Sequence, residues 1–95
     1  MTEQASFSNA LDALKNQVIV LDLQSQYVCI GTLVEVDHRY LILAEADLHD
    51  LRDSTTTRER YVLETREHGV RSNRQKILIR HDEVVGLSAL TDVIA

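Results

Sequence analysis

Apolar residues recur along this chain with two different periods. From Phe7 the spacing Phe7, Leu11, Leu14 is helical (i, i+4, i+7) and predicts a short amphipathic helix, capped by Ser6 or Ser8 and ended at Asn16 and Gln17. From Val18 the period drops to two. Val18 to Leu23 reads as a strand with Ile19, Leu21 and Leu23 on one side, followed by the polar connection Gln24-Ser25-Gln26. A second strand runs from Tyr27 to Val36 and bends at Gly31, because glycine inside a β-branched apolar pattern marks a bulge or a close approach of two backbones. Beyond the bend, Leu33 and Glu35 take one face, and Thr32, Val34 and Val36 the other. Asp37-His38-Arg39 is a tight charged turn, and Tyr40 to Leu43 is a third strand fading into Ala44-Glu45-Ala46.

Late in the chain, Lys76 to Arg80 and Val84 to Leu90 are strand-like on either side of His81-Asp82-Glu83, and so short a link predicts an antiparallel hairpin. The polar excursion 47–75 before it has two readings. Thr56 to Glu59 has capping-box spacing and Gly69 with Val70 suits a helix end, while Tyr61-Val62-Leu63 and Thr65 are acceptable strand material. The count is an N-terminal helix and five antiparallel strands, the second strongly bent. Such a pattern predicts a mostly β fold, a small curved barrel rather than a flat sheet.

Length and charge narrow this further. At 95 residues there is one domain, residues 1–95 with a core over about 7–90, small enough for oligomerisation to be a natural supplement to its stability. No apolar run is long enough to span a bilayer, and MTEQASFSNA is not a basic-then-apolar start. The single cysteine, Cys29, forms no internal disulfide, which fits a reducing compartment; the expected location is cytoplasmic. The net charge of −5 argues against nucleic-acid binding by bulk attraction. Yet seven of the ten basic residues lie between Arg58 and Arg80, opposed there only by Glu59, Glu64 and Glu67. That asymmetry suits an anionic partner, or subunits that meet with opposite charge. The duller expectation is that the arginines from 58 to 74 pair with Asp47, Asp50 and Asp53.

Catalytic and metal chemistry find little support. His38, His49, His68 and His81 have no ligand-like spacing, no nucleophile lies in a local catalytic signature, and there is no glycine-rich phosphate loop. Asp82-Glu83 sits in a short turn, a poor setting for raising a carboxylate pKa. The expectation is a protein that is not an enzyme, with no cofactor and no metal.

The order of these elements resembles the Sm-like (LSm) family. Its first motif, an apolar strand, a gap, G-x-L, three residues and an Asp, then another apolar strand, is matched by Leu21 and Leu23, Gly31-Thr32-Leu33, Asp37 and Leu41-Ile42-Leu43. Its second motif, I-R-G before an apolar strand, is matched by Ile79-Arg80 with Val84 and Val85 beyond. Two departures stand out: no Asn precedes Leu41 in the turn, and His81 replaces the glycine after Arg80. These are positions that grip a base in relatives. The resemblance implies a barrel with free edges on its fourth and fifth strands, joined between subunits into a homo-oligomeric ring through Ile77, Ile79, Val85 and Leu87. It also implies single-stranded RNA bound at a central pore, with Arg39, Tyr40, Arg80 and His81 lining it and Asp37 bracing the turn. The missing Asn and the acidic charge point to the rival function, a structural ring or protein-interaction module without the RNA pocket. A monomer in solution would instead indicate an unrelated SH3-like adaptor.

Overall fold

The computed structural model describes residues 10–95. Its five strands are β1 (Val18–Leu23), β2 (Tyr27–Val36), β3 (Tyr40–Asp50), β4 (Arg74–Arg80) and β5 (Val84–Ala89), joined in one sheet of order β4-β3-β2-β1-β5. Every pairing is antiparallel. One helix, α1 (Arg58–His68), is inserted between β3 and β4, and short 3-10 turns follow β3, β4 and β5. Of the predicted N-terminal helix, residues 10–12 are helical; Phe7 and the caps Ser6 and Ser8 lie outside the described residues.

The bend at Gly31 is real and has a steric cause. The β2–β3 ladder shifts register between Ile30 and Thr32 and again between Leu33 and Glu35, two bulges that curl the sheet. At the first, β3 crosses so close to Gly31 that an added Cβ would lie 2.7 Å from the Ala46 Cβ and 2.9 Å from its Cα. On the opposing strand Glu45 takes a positive φ of 48°. The third strand therefore does not fade after Leu43, as its sequence suggests, but continues to Asp50. The bulge hides this by resetting the alternation: Leu41 and Leu43 face the core, then Ala46 and Leu48 do.

Both faces of the curved sheet are covered. Ile19, Leu21, Cys29, Leu33 and Leu43 fill the inner face, and Leu11 from the N-terminal segment closes over them. On the outer face Val20, Val28 and Ile30 pack under Tyr61 and Val62 of α1. The ambiguous excursion is thus a helix, because the outer face of β1 and β2 is apolar and needs a cover. Its N-cap is Thr57, one residue later than the predicted Thr56: the Thr57 hydroxyl accepts from the Arg60 N–H at 3.2 Å. Gly69, with φ 90°, ends it, its N–H donating to the Thr65 carbonyl at 2.8 Å.

The predicted hairpin from Lys76 to Leu90 does not form. Among the described residues β4 pairs only with β3 and β5 only with β1, on opposite edges of the sheet. His81–Glu83 is a 3-10 turn entered and left by extended residues, Arg80 (φ −67°, ψ 139°) and Val84 (φ −89°, ψ 121°). It has none of the positive φ angles on which tight hairpin turns rely. The chain crosses to the far edge, where β1 offers β5 a free ladder. No helix of the described residues is long and apolar enough to cross a membrane.

Gly31→Ala is expected to cost about 1–3 kcal/mol, the usual effect of overpacking a closed core. Urea unfolding with an unchanged m-value would check it. A variant as stable as the parent would mean that the Gly31–Ala46 approach does not set the bend.

Candidate nucleic-acid interface

Two turns meet at one end of the sheet. In the first, the Asp37 carboxylate Oδ1 accepts from the backbone N–H of Arg39 at 2.8 Å and of Tyr40 at 2.7 Å, while the Asp37 N–H donates to the Tyr40 carbonyl at 3.0 Å. This is an Asx-type turn, which explains why an Asp stands between two strands. The Arg39 and Tyr40 amides, in that order, hold the Asp37 carboxyl below the usual range, helped by the nearby His38 and His81. The second turn is fastened to the first. The His81 N–H donates to the Arg39 carbonyl at 2.8 Å, and Tyr40 lies directly opposite Arg80 in the β3–β4 ladder. A third loop holds it from the other side: the Gln24 N–H donates to the Glu83 carbonyl at 2.8 Å and its Nε2 to the Asp82 carbonyl at 2.6 Å.

Asp37, Arg39, Tyr40, Arg80 and His81, far apart in sequence, are therefore neighbours in space. Arg39 is exposed, and Tyr40 and His81 are half-buried. The Arg80 side chain is 60% exposed, its Nε 3.6 Å from Asp82 and its Nη2 3.9 Å from Glu83. Ion pairs so long and so wet bind weakly. The cluster offers a guanidinium, a ring and backbone turns held in place by hydrogen bonds, which suits an anionic, planar ligand better than bond-making chemistry.

The four residues expected at subunit contacts are split. Ile79 is buried at 7% exposure in the core, and Ile77 and Leu87 pack against that core, while Val85 is 73% exposed. What both edges present, among the described residues, is unpaired backbone, flanked by Val85 on β5 and by the 49% exposed Leu78 on β4. Leu78 was legible as the apolar residue alternating with Ile77 and Ile79.

A second concavity, of about 380 Å³, lies between α1 and the end of β3, lined by Asp47, His49, Tyr61, Glu64, His68 and Arg71 among others. The His49 and Tyr61 rings stack at 4.2 Å with 9° between planes. Asp47 accepts from the Tyr61 hydroxyl and from Asn73 Nδ2 at 3.1 Å, so its carboxylate is engaged. Burial and Asp47 together push the Tyr61 phenol upward, and burial pushes the Cys29 thiol up to about 12. A thiol kept protonated in this way is a poor nucleophile. Among the described residues no group of three or more His, Cys, Asp or Glu side chains is placed to hold a metal.

Arginine pairing differs from expectation. Arg58 pairs with Asp22 at 3.2 Å, Arg60 with Glu64 at 3.5 Å and Arg52 with Asp50 at 2.8 Å. Asp47 and Asp53 take no arginine, and among the described residues Arg71 and Arg74 form no ion pair. The reason is geometric: α1 carries Arg58 across the sheet to β1, away from the carboxylates near it in sequence.

No family model matches the chain, and no curated protein matches it. Among solved structures, a Pyrococcus abyssii Sm protein in complex with a uridine heptamer is similar at a TM-score of 0.60 and 19% identity, over 86% of this chain and 94% of that one. The fold is thus the Sm-like barrel, mostly β with five antiparallel strands.

Because the Asp37 carboxyl is held low, its grip on the turn is complete above about pH 4, the ordinary aspartate range, and lost as pH falls through its lower folded value. The Arg39 and Tyr40 amide shifts are expected to titrate together in that acid window. Asp37→Asn, which keeps an acceptor, is expected to flatten the titration; an unchanged curve would place the titrating group elsewhere.

Proposed function

We propose that this chain is the subunit of a homo-oligomeric ring that binds single-stranded RNA where the Asp37 and Arg80 turns face a central pore. The observation that carries the reading is the bond between the two turns, from the His81 N–H to the Arg39 carbonyl at 2.8 Å, which sets two arginines and a tyrosine side by side. Stacking supplies affinity without sequence choice, and the guanidinium groups attract phosphate. The ring is supported by the edges: β4 and β5 each leave a backbone row unpaired within the described chain, and a copy of the same chain supplies the missing partner to both. Similarity of fold to a protein solved with a uridine heptamer is consistent with this use of the barrel.

One observation favours a second reading. Asp82 and Glu83 flank Arg80, and the chain carries a net charge of −5, so the turn cluster sits in an acidic surround. A ring that serves as a scaffold and binds no RNA has that character.

Light scattering on the purified chain and fluorescence anisotropy with oligo-U and oligo-A at two salt concentrations separate these readings. For the RNA-binding ring, the expected result is an oligomer whose binding weakens with salt. Arg80→Ala is expected to weaken binding about tenfold and to lower the salt slope by about 0.7. Flat curves at low salt from an intact oligomer would leave the scaffold, and a monomer would remove both.

A further inference from the structure

Four cations follow one another along the late edge of the sheet: Arg71, Arg74, Lys76 and Arg80. All four are exposed, and among the described residues only Arg80 is in an ion pair. Ile77 and Ile79 turn into the core, so Lys76, Leu78 and Arg80 share the outer face of β4 by strand alternation. Their cross-strand neighbours Ala44, Ile42 and Tyr40 carry no charge that would neutralise them. Arg74 opens the strand and Arg71 stands at the mouth of the cleft under α1. At a strand's rise, Arg74 to Arg80 spans about 20 Å. Asp82 and Glu83 pair loosely with Arg80 at the end of the row; of the β3 carboxylates, Glu45 accepts from the Ser72 hydroxyl at 3.4 Å and Asp47 is already held by Tyr61 and Asn73.

A row of four cations, three of them in no ion pair among the described residues, is a local exception on a chain of net charge −5, and such a row repels itself unless something anionic lies along it. We propose that the outer face of β4, extended by Arg74 and Arg71, is a phosphate track that carries single-stranded RNA away from the turn cluster toward α1. The track begins where the Arg80 turn ends, so it rests on the RNA reading above. Lys76 and Arg74 hold successive phosphates, Leu78 provides an apolar step between charges, and Arg71 takes the strand to the cleft beside α1. The insertion between β3 and β4 then lengthens the bound segment rather than serving only as a lid on Val20, Val28 and Ile30.

The test compares oligouridylates of about 4 and about 12 nucleotides, within the range of single-strand site sizes, by anisotropy over a salt series. The proteins are the native chain, the double variant Arg74→Ala/Lys76→Ala, its conservative counterpart Arg74→Lys/Lys76→Arg, and Arg80→Ala. The double variant is expected to bind the short oligomer as the native chain does. On the long one it is expected to lose affinity, with a salt slope smaller by about 0.7 for each phosphate contact removed. The conservative variant keeps the native slope, which together with an unchanged melting temperature rules out loss through misfolding. Equal slopes for native and double variant on the long oligomer, or equal loss on both lengths, overturn the track. Arg80→Ala reports separately: if it alone weakens binding, the turn cluster stands and the track falls. If only the double variant does, the pore reading falls instead. Absence of binding by the native chain overturns both.

Discussion

The structure depends on a contact with no room in it. Gly31 and Ala46 bring two backbones closer than any side chain at Gly31 would permit, and the sheet curls about that point. The bulges on either side, and the left-handed residue Glu45 on the opposing strand, are the local backbone answers to that approach. Curling places the Asp37 turn and the Arg80 turn at the same end, because β3 and β4 leave the bend side by side. A flat sheet of the same strands would leave Leu11 and Leu33 without a shared interior.

The second organising fact is that β1 and β2 are apolar on both faces. Val20, Val28 and Ile30 point away from the barrel interior, and Tyr61 and Val62 of α1 shield them, with Leu51, Val70, Leu90 and Val93 packed around the rim. The helix is otherwise polar, with Glu59, Arg60, Glu64, Arg66 and Glu67 all exposed. It is held by a narrow contact and by directed bonds at each end: Arg58 to Asp22, the Tyr61 hydroxyl to Asp47, and Arg66 to the Val93 carbonyl at 2.6 Å. A helix with so thin a stripe is stable only where tertiary contacts receive it.

Much of this was legible in the residues, and what was not has a physical explanation. Gly31 and Asp37 act locally, through a missing Cβ and a carboxylate two and three residues from the amides it caps, so their roles could be read from position alone. The end of β3 was hidden by Glu45, where a bulge breaks the period that defines a strand. The supposed hairpin failed because a three-residue link says how far apart two strands are, and not which ladder each will join. That choice belongs to β1, seventy residues away in chain order from where β5 ends. The helix reading had its signal in plain view, in Val18, Val20, Val28 and Ile30: alternation with apolar residues on both phases demands a cover on each side. The five turn residues follow from a resemblance, and the Arg39–His81 bond together with the Tyr40–Arg80 pairing of the β3–β4 ladder brings them into one place.

The two bare edges are not alike. One is β4, lined with Arg74, Lys76 and Arg80; the other is β5, whose residues Val84–Ala89 carry no charge. This gives the molecule a charged edge and a neutral one, so that any like molecule adding to it by strand exchange is oriented in a single sense. Two β4 edges repel each other, which disfavours a twofold pair through that edge and favours a directional series. Whether such a series closes on itself or grows without limit is then a matter of curvature, set by how sharply the sheet turns at one glycine.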